Sequence, residues 1–161
     1  MKLPEGVKAS LEGQKVTLSG PKGAVSMAFS SPDAKMEMKD GELQVRGTKE
    51  MATTIEAHVR NMALGVTQGY SKKLKTLYSH FPISVEIKGR EIMIKNFLGE
   101  KQPRKAKIMG QTKVEAKGQE LTISGISKDD VGQTLANLKS ATKIRNRDSR
   151  VFQDGFYVVE S

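Results

Sequence analysis

Two clusters of basic side chains are the residues of this chain whose type and spacing favour a specific chemistry. The first lies in and after a segment with Gly99 and Pro103, and comprises Lys101, Arg104, Lys105 and Lys107. The second lies at and beyond the end of a predicted helix, and comprises Lys139, Lys143, Arg145, Arg147 and Arg150. Lysine and arginine bind phosphate oxygens and release condensed counterions, and the planar guanidinium of arginine binds phosphate with two hydrogen bonds. Both clusters therefore predict contacts with a nucleic-acid backbone.

Each cluster also has a purely structural interpretation. The first is also compatible with a solvated turn, although the corresponding segment of the first half, residues 20–31, carries only Lys22, so phosphate contact is favoured. In the second cluster, Lys139 and Lys143 are placed to interact with the negative end of the helix dipole. The three arginines beyond the helix exceed what that role requires, so nucleic-acid binding remains the favoured hypothesis.

The composition of the whole chain agrees with an anionic partner. The 161 residues carry 27 basic and 18 acidic side chains, a net charge of +9. A domain this basic is typical of a nucleic-acid binder, with an anionic membrane surface as the rarer alternative. Aromatic residues make up only 5% and no RNA-recognition-motif signature is present. The sequence thus predicts recognition of folded RNA through its shape and backbone rather than by stacking of single-stranded bases.

Signatures of enzymes are scarce in this sequence. It has no cysteine, no GxxxxGK[ST] phosphate loop, no GxSxG elbow and no HExxH motif. His58 and His80 are too few for a metal cluster, and Asp129 with Asp130 suit the start of a helix. We therefore predict a protein that is not an enzyme and needs no cofactor or metal. The absence of a long apolar run predicts no membrane association and a cytoplasmic location.

The second half of the chain repeats the first. Val7, Ala9 and Leu11 correspond to Ile83, Val85 and Ile87, which are apolar positions in an alternating pattern typical of strands. A helical stripe recurs in the same way, and its members are Ile55, Val59 and Met62 in the first half and Val131, Leu135 and Leu138 in the second. Several strands followed by one helix, twice over, predict an α+β fold. We expect two tandem duplicated domains, residues 1–78 and 79–161, each a mainly antiparallel β-sheet packed against one α-helix.

Longer strings carry a family resemblance. They are residues 61–70 (NMALGVTQGY), 78–82 (YSHFP), 96–101 (NFLGEK), 130–134 (DVGQT) with Ala136-Asn137, and 150–155 (RVFQDG). In order and from end to end, the chain resembles the sixth-numbered large-subunit ribosomal protein family, in its archaeal and eukaryotic branch. The resemblance implies two copies of one small α+β domain, of which the C-terminal copy makes most of the RNA contacts. It also adds Gln133 and Asn137 as residues that face RNA.

The resemblance implies a structural role in the large ribosomal subunit. Family members bind large-subunit ribosomal RNA near the sarcin–ricin region and stalk base, next to neighbouring ribosomal proteins and the site approached by translational GTPases. On this hypothesis the phosphate-binding residues are Lys101, Arg104, Lys105, Lys107, Lys143, Arg145, Arg147 and Arg150. The alternative is a duplicated protein-binding adaptor that recruits its partner through exposed strand edges.

Overall fold

The chain divides into two compact units in a computed structural model that describes residues 2–39, 41–78 and 80–159. Unit 1 contains the chain up to Gly69 together with Ile126–Lys128, and unit 2 contains Tyr70–Gly125 and the chain from Asp129 onward. Both units combine antiparallel strands with one helix, which confirms the predicted α+β duplication.

Unit 1 is built from two small antiparallel sheets and one helix. Its elements are β1 (Lys8–Glu12), β2 (Lys15–Gly20), β3 (Gly23–Ala28), β4 (Lys35–Lys39), β5 (Glu42–Arg46) and α1 (Lys49–Thr67). Strands β1, β2 and β3 form one sheet in that order, and β4 pairs with β5. The turn between β1 and β2 contains Gly13 at φ 62°, a left-handed conformation that suits glycine in a tight hairpin.

The core of unit 1 lies between α1 and these strands. The predicted helical stripe of Ile55, Val59 and Met62 is buried, as are Val16 and Leu18 on β2. Because the stripe recurs at helical spacing and the strand residues alternate, each element buries one face only. The residues that the apolar periodicity selects are therefore the residues that form the core.

Gly20, the last residue of β2, allows the strand to approach the end of α1. A Cβ at this position would lie 2.8 Å from the Val66 carbonyl oxygen and 2.9 Å from its Cγ2. We predict that Gly20→Ala lowers the free energy of unfolding by about 1–2 kcal/mol through this overpacking. The matched change Gly132→Ala, in a helix where the new Cβ meets nothing within 4 Å, is expected to raise it by about 0.5–1 kcal/mol. Urea denaturation measures both, and equal effects of the two changes would contradict the prediction.

Unit 2 repeats this arrangement with a larger second sheet. The elements after α1 are β6 (Tyr70–Leu77), β7 (Ser84–Lys88), β8 (Glu91–Lys95), a 3-10 turn (Phe97–Gly99), β9 (Arg104–Lys107), β10 (Lys113–Lys117), β11 (Glu120–Gly125), α2 (Lys128–Ala141) and β12 (Gly155–Val159). Strands β7, β8 and β9 form a sheet in that order, and β10, β11, β6 and β12 form the other. The stripe predicted on α2 packs into this core, with Val131 and Leu138 buried and Leu135 partly buried.

Strand β6 lies in the middle of the second sheet. It pairs antiparallel with β11, where Leu74 faces Leu121, and on its other side with β12, where Leu74 faces Val158. The structural division of the chain and the predicted boundary between residues 78 and 79 therefore differ over residues 70–78. The physical reason is that β6 hydrogen-bonds to strands that follow it in the sequence, so these residues belong to unit 2.

Candidate nucleic-acid interface

Helix α2 is attached to the strand that carries the first basic cluster. Strand β9 is at the edge of its sheet, so part of its backbone faces away from β8. Two polar side chains of α2 contact the end of β9 and the residues after it: Asn137 Nδ2 donates to the Lys107 carbonyl oxygen at 3.0 Å, and the N–H of Met109, two residues beyond β9, donates to Thr134 Oγ1 at 3.0 Å. These two bonds hold the end of β9 and the residues that follow it beside α2.

Arg104 connects β9 to the segment that follows α2. Its Nη1 donates to the carbonyl oxygens of Ala141 at 2.9 Å and of Lys143 at 3.2 Å. Its Nε and Nη2 donate to the two carboxylate oxygens of Glu100 at 2.8 and 2.6 Å. The guanidinium carbon also lies 4.5 Å from the centroid of the buried Phe97 ring. All three nitrogens of Arg104 are thus engaged within the protein, and they fix the backbone from which the second cluster extends.

Glu100 and Arg104 stabilise each other's charged forms. The hydrogen bond from Arg104 holds the pKa of the Glu100 carboxyl below its usual value, against a smaller opposing effect of burial. The same bond raises the pKa of Arg104. Both groups therefore stay ionised at neutral pH, and the two-pronged bond between them has the geometry that carboxylate and guanidinium favour.

A tight turn brings Glu100 to this position. Asn96, Leu98 and Gly99 have φ values of 58°, 52° and 73°, so the turn concentrates left-handed backbone in a few residues. Such a conformation is unfavourable for leucine and is retained only where the surroundings enforce it. Asn96 Nδ2 donates to the Pro82 carbonyl oxygen at 3.0 Å, and Gly99 leaves room for the Phe81 ring. The turn is therefore a structural support for the Glu100–Arg104 pair.

Around Arg104 the chain forms two neighbouring clefts, both on unit 2. The larger, which we call the arginine cleft, has a volume of about 400 Å³ and is lined by Leu98, Glu100, Arg104, Ser140, Ala141, Lys143, Arg145 and Arg147. The smaller, which we call the strand cleft, has a volume of about 370 Å³ and is lined by Lys105, Ala106, Lys107, Asn137, Ser140 and Ala141. Ser140 and Ala141 belong to both, so the two clefts meet at the C-terminal end of α2.

The clefts bring together most of the residues selected from the sequence. Arg104, Lys143, Arg145 and Arg147 line the arginine cleft, whereas Lys105, Lys107 and Asn137 line the strand cleft. Three others lie outside both linings. Lys101 is exposed in the bend before β9, Gln133 Nε2 donates to Asn137 Oδ1 at 2.9 Å, and Arg150 pairs with Asp148 at 3.2 Å.

The exposed side of α2 between the clefts and Gln133 carries small residues. Gly132, Ala136 and Ser140 are exposed at successive turns of the helix, next to Asn137. Side chains of this size allow a partner's backbone to come close to the helix. The basic residues at the end of α2 are therefore adjacent to a smooth helical surface, an arrangement suited to a broad, rigid polyanion.

Several residues of the site were not selected from the sequence. Glu100 and Phe97 hold Arg104, and Phe152 lies under Arg147, with the guanidinium carbon 4.8 Å from the ring centroid. His80 stacks on the same Phe152 ring. The spacing of Glu100 and Arg104, four residues apart, is a weak signal for their ion pair. No comparable local signal relates Phe152 to His80, because the two are far apart along the chain.

Neither a metal cluster nor a membrane-spanning helix is found among the described residues. Within residues 2–39, 41–78 and 80–159, no three potential metal-ligating side chains lie close enough to hold a metal ion. Over the same ranges, no helix combines the length and apolarity that a membrane crossing requires.

Fold and site together define a class of protein, a duplicated α+β protein with basic clefts on its second unit. Comparison with known proteins gives the family. The model of the family described as ribosomal protein L6 matches residues 3–69 and 81–155, one segment for each copy of the duplication. The chain belongs to the ribosomal protein L6 family. This confirms the prediction of a non-enzymatic protein, because the family consists of structural ribosomal proteins.

The curated relatives agree over nearly the whole chain. Large ribosomal subunit protein uL6 of Methanosarcina mazei is 45% identical over 166 residues, which covers 99% of this chain and 94% of the relative. The protein of the same name from Natronomonas pharaonis is 41% identical and covers 100% and 94%. That from Methanobrevibacter smithii is 42% identical and covers 99% and 93%. The predicted archaeal and eukaryotic branch of the family is supported by these archaeal relatives.

Proposed function

We propose that this chain is a structural component of the large subunit of the cytoplasmic ribosome, and that its unit 2 binds folded ribosomal RNA through the two clefts. The observation that carries the proposal is the convergence of Lys143, Arg145 and Arg147 on one cleft whose backbone is fixed by Arg104. Membership of the ribosomal protein L6 family supports the same function.

The proposed mechanism is electrostatic clamping together with recognition of RNA shape. Lys143 and Arg145 are exposed and bind phosphate oxygens, and the exposed Arg147 adds positive charge to the same cleft. Lys105 and Lys107 extend this charge along β9 into the strand cleft. The small residues on α2 permit close contact with the ribose and phosphate backbone, which suits the wide, shallow minor groove of an RNA helix. Arg104 contributes by holding the binding segment in place, because its nitrogens are already bonded to protein atoms.

A more specific location follows from the family resemblance of the sequence. We place the RNA site near the sarcin–ricin region and stalk base, next to neighbouring ribosomal proteins and the landing site of translational GTPases. In this location the protein would stabilise the RNA that those factors approach. The resemblance of residues 96–101 and 150–155 supports this placement, since the first contributes Leu98 and Glu100 to the arginine cleft and the second begins directly after the basic segment.

The test is binding of the purified chain to large-subunit ribosomal RNA over a series of salt concentrations, with unrelated duplex RNA as competitor. We expect binding that survives the competitor and falls linearly on a plot of log affinity against log salt, because several phosphate contacts release counterions. Equal, weak binding to both RNAs would contradict a specific site, because it would indicate only a general attraction between a basic protein and RNA.

One observation favours the alternative of a protein-binding adaptor. Strand β12 is at the edge of its sheet, and its Tyr157, Val158 and Val159 are exposed large apolar residues. An exposed apolar edge strand is a template for pairing with an extended segment of another protein. In the ribosome this edge would suit a neighbouring ribosomal protein. Variants in which the basic residues of the clefts are replaced separate the two roles. They should lose RNA binding but keep the binding of protein partners.

A further inference from the structure

Arg147 differs from the other exposed arginines because an aromatic ring lies directly under its guanidinium. The guanidinium carbon is 4.8 Å from the centroid of Phe152. Arg150, by contrast, is paired with Asp148 and its side chain is 89% exposed. Phosphate recognition depends on charge and N–H donors, so a guanidinium that binds phosphate does not require a ring beneath it. The ring instead orients the plane of the guanidinium.

The Phe152 ring is itself held in place by His80, which is distant from it along the chain. The His80 ring stacks on it, with centroids 4.7 Å apart and an angle of 18° between the planes. His80 Nδ1 lies 3.3 Å from Oδ1 of Asp154, whose side chain is fully buried. A buried carboxylate therefore anchors His80, His80 stacks on Phe152, and Phe152 supports Arg147. These four residues form a stack that we call the Arg147 stack.

The Arg147 stack ends at the arginine cleft. Arg147 lines that cleft and is exposed, whereas Phe152 is only partly exposed and Asp154 is buried. The part of the stack nearest to a bound polyanion is thus a guanidinium that is planar, charged and supported by a ring. Guanidinium planes and aromatic rings are the groups on which proteins stack unpaired RNA bases, and cation–π contributions strengthen such stacking.

We propose that the Phe152-supported guanidinium of Arg147 is a stacking site for one unpaired nucleobase of the ribosomal RNA. The proposal rests on the RNA-binding function proposed above and adds a contact of a different kind, to a base instead of a phosphate. Unit 2 then recognises a position where an unpaired base leaves the RNA helix next to the phosphates bound by Lys143 and Arg145. This contact makes the site selective for folded RNA over a regular duplex.

The test compares Arg147→Lys with Arg150→Lys in binding to large-subunit ribosomal RNA over a salt series. Both changes keep the positive charge and remove a guanidinium plane, but only Arg147 lies over a ring. We expect Arg147→Lys to weaken binding about tenfold at every salt concentration with an unchanged salt slope. Arg150→Lys is expected to stay within about twofold of the wild type. Phe152→Leu, checked for folding by its melting temperature, is expected to weaken binding to a similar extent as Arg147→Lys.

The outcomes distinguish this inference from the function on which it rests. Wild-type binding no tighter than binding to the duplex competitor would overturn both proposals. If the wild type binds specifically and Arg147→Lys binds equally well, the function stands and the stacking site is wrong. If Arg147→Lys weakens RNA binding and also makes the salt slope shallower, the proposed stacking site is wrong as well, because a shallower slope indicates a lost phosphate contact. If Phe152→Leu does not fold, the paired lysine variants still decide the question.

Discussion

Joint replacement of Lys143, Arg145 and Arg147 by alanine is expected to weaken binding to large-subunit ribosomal RNA by about 100-fold or more at low salt. The three side chains line the arginine cleft and are exposed; Lys143 and Arg145 are available to phosphates, and Arg147 supplies the proposed stacking contact with a base. Loss of one phosphate contact makes the slope of log affinity against log salt shallower by roughly 0.7–0.9. Because two phosphate contacts are lost, we expect the triple variant to have a slope shallower by about 1.5–2. A filter-binding or fluorescence titration at several salt concentrations measures both quantities.

The matched control is the triple alanine variant of Lys72, Lys73 and Lys75. These lysines are exposed on β6, also in unit 2, and lie outside the linings of both clefts. Their removal changes the net charge by the same amount, so a purely general attraction to RNA would suffer equally. We expect the control to lose less than about fivefold in affinity, a difference that reflects long-range attraction alone. Equal losses in the two triple variants would show that the arginine cleft is not the binding site.

Most of the architecture could be predicted from the sequence because it depends on local periodicity. Alternation places Val16 and Leu18 on the buried face of β2, and helical spacing places Ile55 and Val59 on the buried face of α1. The same patterns return in the second half, so one interpretation serves both units. The α+β class and the duplication follow from these repeated patterns.

The partner of β6 could not be predicted in the same way. The alternation of buried Leu74 and Thr76 indicates a strand but contains no information on which strand lies beside it. Pairing with β11 and β12 depends on residues that are distant along the chain. For this reason the boundary predicted at residue 78 places β6 with the first half, whereas β6 forms the middle of a sheet in unit 2.

The composition of the basic clusters was predictable, but the roles of their members were not. Charge and position give Arg104 and Arg147 the same description in the sequence. In the structure, Arg104 is bonded to Glu100 and to two backbone carbonyls, while Arg147 lies over Phe152 and lines the arginine cleft. The low aromatic content predicts that base stacking does not dominate, yet His80 stacks on Phe152 and the same ring lies under Arg147. The amino-acid composition of a chain does not show where a single aromatic ring lies in the fold.

Arg104→Ala is expected to lower the free energy of unfolding by about 2–3 kcal/mol and the affinity for ribosomal RNA by about tenfold. The stability loss has three sources: the carbonyl oxygens of Ala141 and Lys143 lose a charged donor, Glu100 loses its ion pair, and the buried Phe97 loses the cation above its ring. The loss of affinity is indirect, because the segment that carries Arg145 and Arg147 loses its anchor. Urea denaturation and the RNA titration measure the two effects.

The stability difference between the wild type and Arg104→Ala should also depend on pH. The bond from Arg104 lowers the pKa of Glu100, so the contribution of this pair is present above the ordinary glutamate pKa of 4.5 and is lost as the pH falls through the lower pKa of the folded protein. Without Arg104 this contribution is absent at every pH. The difference between the two proteins is therefore expected to narrow in acid below pH 4.5, and a difference that grows there would contradict the assignment.

Arg104→Lys separates a structural role of Arg104 from direct phosphate binding. Lysine keeps the charge but cannot bond Glu100 with two prongs and reach both carbonyl oxygens at the same time. If Arg104 holds the binding segment, Arg104→Lys should lose most of the stability that Arg104→Ala loses. If Arg104 binds phosphate, lysine should restore RNA affinity while stability is unaffected in either variant. Lys105→Ala is the control: this neighbour is exposed, 3.9 Å from Glu91, and its loss should change stability by less than about 0.5 kcal/mol.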